Sequence, residues 1–598
     1  MKYALLLLLV FITIAGIAQQ EHYEHPLVMY TLTINDSDLT SYHIEMQITN
    51  VPDTFRVAMV KHFEYDDRFW HFIKNFRVQG KNGNGQMIRE DSALWKIITT
   101  GNEAVLHYSI QPPVTQAMHG SWRPFLASNG ALVGGPQSFM YIVGYTKTPS
   151  QVTLHLPAGW TVATGLTVKD AHTLYASSVY TLTDEPILAG KLKTWAFTIN
   201  GVQHTIAYYP LPNAKFFDTT ALVSDIQKVA EEAKHLFGSL PYKDYTFQLI
   251  DGSYGGLEHK NSVTLGANSA ELAEGFTDFL SEMAHEYFHT WNLVRIRPAE
   301  YGDVTYTETP PSKELWWSEG MTMFYADLLL RRAGLPVFEP GRIQHLEQLM
   351  STYFSETGNT KISPEKVSMA ANSDPGMLGD YNASTHLQGE LLGAMLDLII
   401  RDATGNKRSV DDVMRSMMQH SGQGKGFTNK DVEQRINETC RCNVHPFFQQ
   451  YIYGSNAIDF NKYLQLAGLH SAVIWKDASG DDSRPLPDLR IYAWLTRQGK
   501  LVTGIEDPES TWGKAGLHTG DEIVTVNNTP VSTQRDFFSL LRKAKIGDTV
   551  SIAVKRPAGI YKTTVIVSAY KTAIVKIEEL STATKEQLVL RKQWLAGN

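Results

Sequence analysis

Residues 271–294 read ELAEGFTDFLSEMAHEYFHTWNLV. Phe279, Leu280, Met283 and Phe288 recur at helical spacing, so the segment is expected as a helix with an apolar face. Within it HEYFH, residues 285–289, sets two imidazoles four positions apart, one turn along the same face, the separation at which both reach a single Zn²⁺. Glu286, beside the first imidazole, is then placed to take a proton from a water at the metal. Unpaired polar groups are unfavourable on so apolar a helix, which argues for a joint role over two unconnected histidines. A catalytic site with one open position needs a third protein ligand. WWSEG, residues 316–320, offers Glu319 at the start of a second amphipathic helix, while spacing alone also allows Glu308 or Glu314.

Upstream, from about residue 26 to 210, short runs such as YTLTIN, SYHIEMQIT, VTLHLP and TWAFTIN alternate apolar and polar residues between Gly, Pro and Asn turns, the pattern of an antiparallel β domain. At TALVSDIQKVAEEAKHLFG, 220–238, the period becomes helical and a Gly stands where a helix would stop. Helical segments continue through LWWSEGMTMFYADLLLRRAG, HLQGELLGAMLDLIIRDATG and NKDVEQRINE to about residue 475. KDASGDDSRPLPD, 476–488, has no apolar period and reads as a linker. Strand-like alternation with one helix returns over 489–572, and a tail of mostly helical composition occupies 573–598.

A chain of 598 residues is too long for one hydrophobic core and implies about three or four domains. With 43% hydrophobic and 19% charged residues it has the balance of a globular protein rather than a disordered one. A formal net charge of −8 without any long Lys/Arg run gives no electrostatic footprint for nucleic acid, so that partner class is set aside. MKYALLLLLVFITIAGIA, residues 1–18, places one Lys before an apolar run and Gly16 and Ala18 at the positions a signal peptidase reads. Export to a periplasm or the extracellular space is the expectation, an N-terminal anchor the alternative, and no later run is apolar enough to make the mature protein membrane-spanning. Cys440 and Cys442, with one residue between them, are neither a disulfide framework nor a set of zinc ligands, although they are close enough for a strained bridge.

HEYFHTWN, RIRPAEY at 295–301 and LWWSEGMTMFYADLLLRRAGL at 315–335, preceded by LFGSLPYKDYTFQLIDGSYGGLEHKNS at 236–262, resemble the glycyl-aminopeptidase family of gluzincin zinc metallopeptidases, many of which carry a PDZ domain. VTLHLPAGWTVATGL, YTLTDEPILAGKLKTWAF and FFQQYIYGSNAIDFNKYLQLAGL extend the resemblance over nearly the whole mature chain. It implies a multidomain α+β protein: an N-terminal antiparallel β domain (19–210), a thermolysin-like, largely helical gluzincin catalytic domain (211–475) and a C-terminal PDZ domain (489–572). It also implies one Zn²⁺ per chain on His285, His289 and Glu319, Glu286 as general base, and hydrolysis of peptide or protein substrates from the N-terminus, with small residues such as Gly or Ala preferred. Gly255 and Gly256 would line the substrate, and Glu258 would bind its free α-amino group by a charge-assisted contact, unless it is simply an exposed strand carboxylate.

The resemblance departs from the pattern at STHLQGELLGAMLDLIIR, 384–401, where His386 and Gln388 stand in place of the Tyr and Lys of a Tyr-x-Lys-Gly signature. The related Tyr stabilises an oxyanion; a His retains a donor for that purpose, or is a tolerated polar residue near the cleft, and Tyr381 is a further candidate. GKAGLHTGDEIVTVNNTPV, 513–531, resembles a PDZ domain, with Ile523, Val524 and Val526 as its buried strand positions. PDZ domains add a C-terminal peptide to a sheet edge, but PDLRIYAWL at 487–495 lacks a Gly-rich carboxylate loop, so internal docking stands beside peptide capture. Two rivals to an aminopeptidase follow: a peptide-binding protein with a weak or inactive zinc cleft, and an endopeptidase.

Overall fold

A computed structural model of the chain describes residues 26–597 apart from 62–68, 84, 114–118, 303, 308–309, 340, 372, 422–423, 481–482 and 497. The leader-like segment 1–18 and Glu308 lie outside the described residues. The N-terminal domain holds a seven-stranded sheet and two four-stranded sheets. Its central strand, Leu27–Asn35, buries every second side chain, as an amphipathic strand must. It pairs antiparallel with Asp38–Thr49 but parallel with Ser150–His155, so the domain is not wholly antiparallel.

The strands Lys193–Ile199 and Val202–Tyr209 were expected in that domain. They instead open a five-stranded sheet with Asp244–Ile250, Ser262–Gly266 and the edge strand Gly256–Glu258. Val202–Tyr209 and Asp244–Ile250 pair in parallel, joined by the helix Thr219–Phe237, so the structural boundary falls near residue 191 rather than 210. This sheet, the helices below it and the end of the chain share one large core. Helix Thr219–Phe237 stops at Gly238, whose φ of 80° is the left-handed cap anticipated from the sequence. The segment 271–294 is not one helix: it breaks at Gly275 and resumes as α1, Thr277–Phe288. Helices α2, Leu315–Arg332, and α3, Thr385–Ala403, pack against each other below it.

The region after 469 is organised differently from the expected linker, module and tail. Leu469–Asp477 and Lys571–Glu579 form a nine-residue antiparallel ribbon, Leu469 opposite Glu579 and Asp477 opposite Lys571. The PDZ-like module is thus inserted between the two strands of a catalytic-domain ribbon, and it keeps a core of its own around Trp512, Phe537 and Ile552. Ile523 and Val526 are buried and Val524 is not, because a bulge between Ile523 and Thr525 resets the alternation. The final helix, Lys585–Ala596, returns to the main core through Leu590 and Trp594, with Arg342 over the Trp594 ring. Cys440 and Cys442 are disulfide-bonded to each other. No helix among the described residues is long and apolar enough to cross a membrane.

Trp594 is fully buried, so Trp594→Ala should destabilise the catalytic domain by about 3–5 kcal/mol, read as a lower denaturant midpoint for unfolding. An unchanged midpoint would mean that the terminal helix is not part of that core.

Candidate metal centre and cleft

Helix α1 buries Phe279, Leu280, Met283, Ala284, Tyr287 and Phe288. That burial fixes its rotation, and His285 and His289 then emerge one turn apart with their Nε2 atoms 3.0 Å from each other. Glu319, in the first turns of α2, brings Oε2 to 3.5 Å from His285 Nε2 and 3.3 Å from His289 Nε2. His386, in the first turn of α3, brings its Nε2 to 3.2 Å from the same oxygen. Ligand atoms of His285, Glu319 and His386 all lie within 4.8 Å of one another.

The donor set fits a zinc ion. The two imidazole nitrogens, 3.0 Å apart, and the carboxylate oxygen 3.3–3.5 Å from both make the N,N,O set of a catalytic zinc site. His289 Nδ1 donates to the Asn292 carbonyl at 2.8 Å, which turns its Nε2 toward the cluster. Asn292 in turn donates through Nδ2 to the carbonyls of Trp317 and Ser318 and to Thr322 Oγ1, tying the end of α1 to the turn of α2 that carries Glu319. Glu314, the alternative third ligand, is taken up elsewhere: its carboxylate accepts from Ser312 Oγ, Lys313 N and Asn429 N.

Two glycines set the helix spacing. A Cβ on Gly320 would lie 2.2 Å from Gly389 Cα, and one on Gly389 would lie 1.8 Å from the Trp316 carbonyl oxygen. The backbones of α2 and α3 therefore touch beside Glu319 and one turn from His386.

Opposite the metal cluster, the free edge of Gly256–Glu258 faces α1. Backbone N–H groups of Gly256 and Glu258 donate to the carboxylates of Glu282 and Glu286 respectively. Two strand residues span roughly 6.6–6.8 Å and four helical residues rise about 6 Å, so the periods match. A Cβ on Gly256 would lie 2.3 Å from Glu286 Cγ, which explains the glycine there. Gly255, at φ 69°, packs on the Trp122 ring of the N-terminal domain.

Burial, and then the charges of Glu258, Glu282 and Glu319, push the Glu286 carboxyl well above its ordinary range. Burial also raises Glu282. Burial lowers His285 to about 4. For His289 burial acts in the same direction, but the Glu319 carboxylate overcomes it and raises the group to about 9. Burial disfavours the Glu319 carboxylate too, yet the His289 charge and the hydrogen bonds from His285, His289 and His386 hold it well below its usual value. The structure thus brings His285, Glu286, His289, Glu319 and His386 together with Gly255, Gly256 and Glu258 at the rim. It adds Glu282, Trp122 and Asn292. Asn292 stands in the HTWN run and Glu282 one helical turn before Glu286, but only the strand edge and the second helix reveal their partners.

The edge strand of a five-stranded sheet thus lies against the helix that carries both imidazoles, and a second helix brings a Glu to them. The M61 glycyl aminopeptidase family matches residues 274–390, its N-terminal domain matches 29–191, and a PDZ domain matches 502–567. The chain is built from the domains of the M61 glycyl aminopeptidase family, with a PDZ domain toward its C-terminus. No curated protein matches it. A crystal structure of an aminopeptidase N family protein from Idiomarina loihiensis shares its fold with a TM-score of 0.72 at 21% identity, covering 95% of this chain and 100% of that one. An M1 zinc metallopeptidase from Deinococcus radiodurans aligns with a TM-score of 0.43 at 13% identity, over 70% of this chain and 90% of that chain.

Asn292→Ala keeps every ligand atom but unties α1 from α2. It should weaken zinc affinity by roughly 10–100-fold in chelator competition; unaltered affinity would remove Asn292 from the support of the site.

Proposed function

We propose that the protein is an exported zinc aminopeptidase that releases small N-terminal residues, Gly or Ala, from peptides. The observation that carries the reading is the convergence of His285, His289 and Glu319 at 3.0–3.5 Å, with Glu286 next along the helix and against the substrate-side strand. These three hold one zinc ion, which when bound supplies Lewis acidity toward the scissile carbonyl and the attacking water.

Glu286, whose proton affinity is raised by burial and neighbouring carboxylates, accepts in its ionised form the proton of that water and returns it to the departing amine. Glu258 and Glu282, both beside the Gly256 edge, present negative charge to the free α-ammonium group. Trp122 lies against Gly255 beside the same strand edge, which supports a preference for small side chains. His386 is half-exposed, at 48%, on the open side of the cluster, and donates to the developing oxyanion in place of a Tyr. Export rests on the 1–18 segment, and the final compartment is periplasmic or extracellular.

The test is hydrolysis of matched free and N-acetylated substrates after a count of bound metal. Free-amine substrates alone should be cut, Glu286→Gln should lower the rate by about 10²–10⁴, and Glu258→Gln should narrow the preference for the free amine. Equal cleavage of acetylated substrates would make the protein an endopeptidase. Bound zinc with no turnover on any substrate would favour the peptide-binding reading instead.

A further inference from the structure

A cavity of about 480 Å³ opens from His386 and ends on the PDZ-like module. One wall is the loop 373–384, including Met377 and Tyr381, which runs directly into α3 and His386. The other wall is the module's edge strand, Ile491–Leu495, together with Glu506. Along that strand Ile491 and Ala493 enter the module's own core, so Tyr492 and Trp494 project from the opposite face. Gly504 pairs with Tyr492, and a Cβ on Gly504 would lie 2.0 Å from the Tyr492 ring, so the glycine lets that ring lie on the strand. Trp494 is 42% exposed, a large apolar ring left open beside a catalytic cleft.

The module is fixed in this position by specific contacts. Asp380 accepts from the Thr519 backbone N–H at 2.7 Å and pairs with His518 Nδ1 at 2.7 Å. The Asn382 N–H donates to the Glu506 carbonyl at 3.2 Å, and Thr357 Oγ1 to Asp507 at 3.2 Å. On the other edge of the strand, Gln534 Nε2 donates to the Ala493 carbonyl at 2.8 Å and occupies a group that an added peptide strand would need. The aromatic face toward the cleft is therefore the open surface, and the usual strand-addition groove is obstructed.

Resting on the aminopeptidase reading, we propose that the PDZ-like module is part of the active site. It forms the subsite for the C-terminal side of the peptide substrate, accepting aromatic or long aliphatic side chains against Tyr492 and Trp494 a few residues beyond the scissile bond. Of the residues gathered at the cluster only His386 lines the cavity, and none of Trp122, Gly255, Gly256 or Glu258 does, so this subsite is separate from the amine end and meets the cluster at His386. A peptide anchored at Glu258 and crossing the zinc ligands passes His386 and enters the cavity, whose volume lies within the 300–1,000 Å³ typical of ligand pockets.

The experiment compares kcat/KM for an alanyl p-nitroanilide, which ends near the metal, and a tetrapeptide, Ala-Ala-Leu-Trp, which reaches the module. Trp494→Ala should lower the tetrapeptide value about tenfold more than the anilide value, Trp494→Phe should restore most of the difference, and Asp380→Ala, which releases the docking contact, should act in the same direction. The same tetrapeptide is titrated onto Glu286→Gln protein with and without Trp494→Ala, where about tenfold weaker binding is expected. If both substrates respond equally, and binding is unchanged, the subsite is overturned. If the native protein cuts neither substrate, the aminopeptidase reading fails, and the binding titration alone still decides for or against the subsite.

Discussion

The active cleft depends on a contact between two backbones. Gly320 and Gly389 let α2 and α3 approach until the Cβ of either would overlap the other helix. Glu319 precedes Gly320 by one residue and His386 precedes Gly389 by one turn, so the glycine contact carries both side chains to the same point. Any larger residue would force the helices apart, and overpacking of this kind destabilises by about 1–3 kcal/mol even where the fold survives. A wider spacing would also pull α2 against the Asn292 hydrogen bonds that tie it to the end of α1, and so disturb the approach of the Glu319 carboxylate to His285 and His289. The metal site is a consequence of how three helices pack.

The same economy of connection explains the C-terminal half. A module appended by a flexible linker would have no fixed relation to the cleft. Here both of its ends enter through the paired strands Leu469–Asp477 and Lys571–Glu579, and the chain then closes on the core through Trp594. Two covalent connections and the contacts of Asp380 restrict the module to one face. Loop 373–384 lies between it and α3, and so joins module and catalytic helix physically.

What the sequence disclosed follows from the range of the interactions involved. HEYFH was readable because both imidazoles sit on one helix face; Glu319 was preferred because a helix follows it and because of the family resemblance, and that helix proves buried nearly all round rather than amphipathic, while Glu314 remained open until Ser312 and Asn429 were seen to occupy it. The first domain boundary was misplaced because Lys193–Ile199 and Val202–Tyr209 alternate with the same period as the preceding strands, and period does not say which sheet a strand joins. The ribbon strand Lys571–Glu579 has its partner almost a hundred positions earlier, and local composition carries no record of such pairing. Glu282 was passed over for a related reason: a Glu one turn before a metal motif is an ordinary helical residue until a strand edge is found donating to it.

The charge of the cleft ties these elements together. Glu258, Glu282, Glu286 and Glu319 lie close enough that three of them raise the fourth, and burial removes the water that would screen them. The imidazoles near Glu319 and the backbone N–H groups of Gly256 and Glu258 offset this only in part, since Glu282 and Glu286 remain raised. On the proposed reading two cations would relieve both ends of the cluster: a divalent metal among His285, His289 and Glu319, and a substrate ammonium group beside Glu258 and Glu282. Each carboxylate that ionises strengthens the binding of both cations, and each bound cation favours ionisation of Glu286, the group that must accept a proton. On that reading, electrostatics would couple occupancy of the metal site and of the amine end to the ionisation of the base, and a peptide lacking a free amine would leave Glu286 with one cation fewer to hold it ionised.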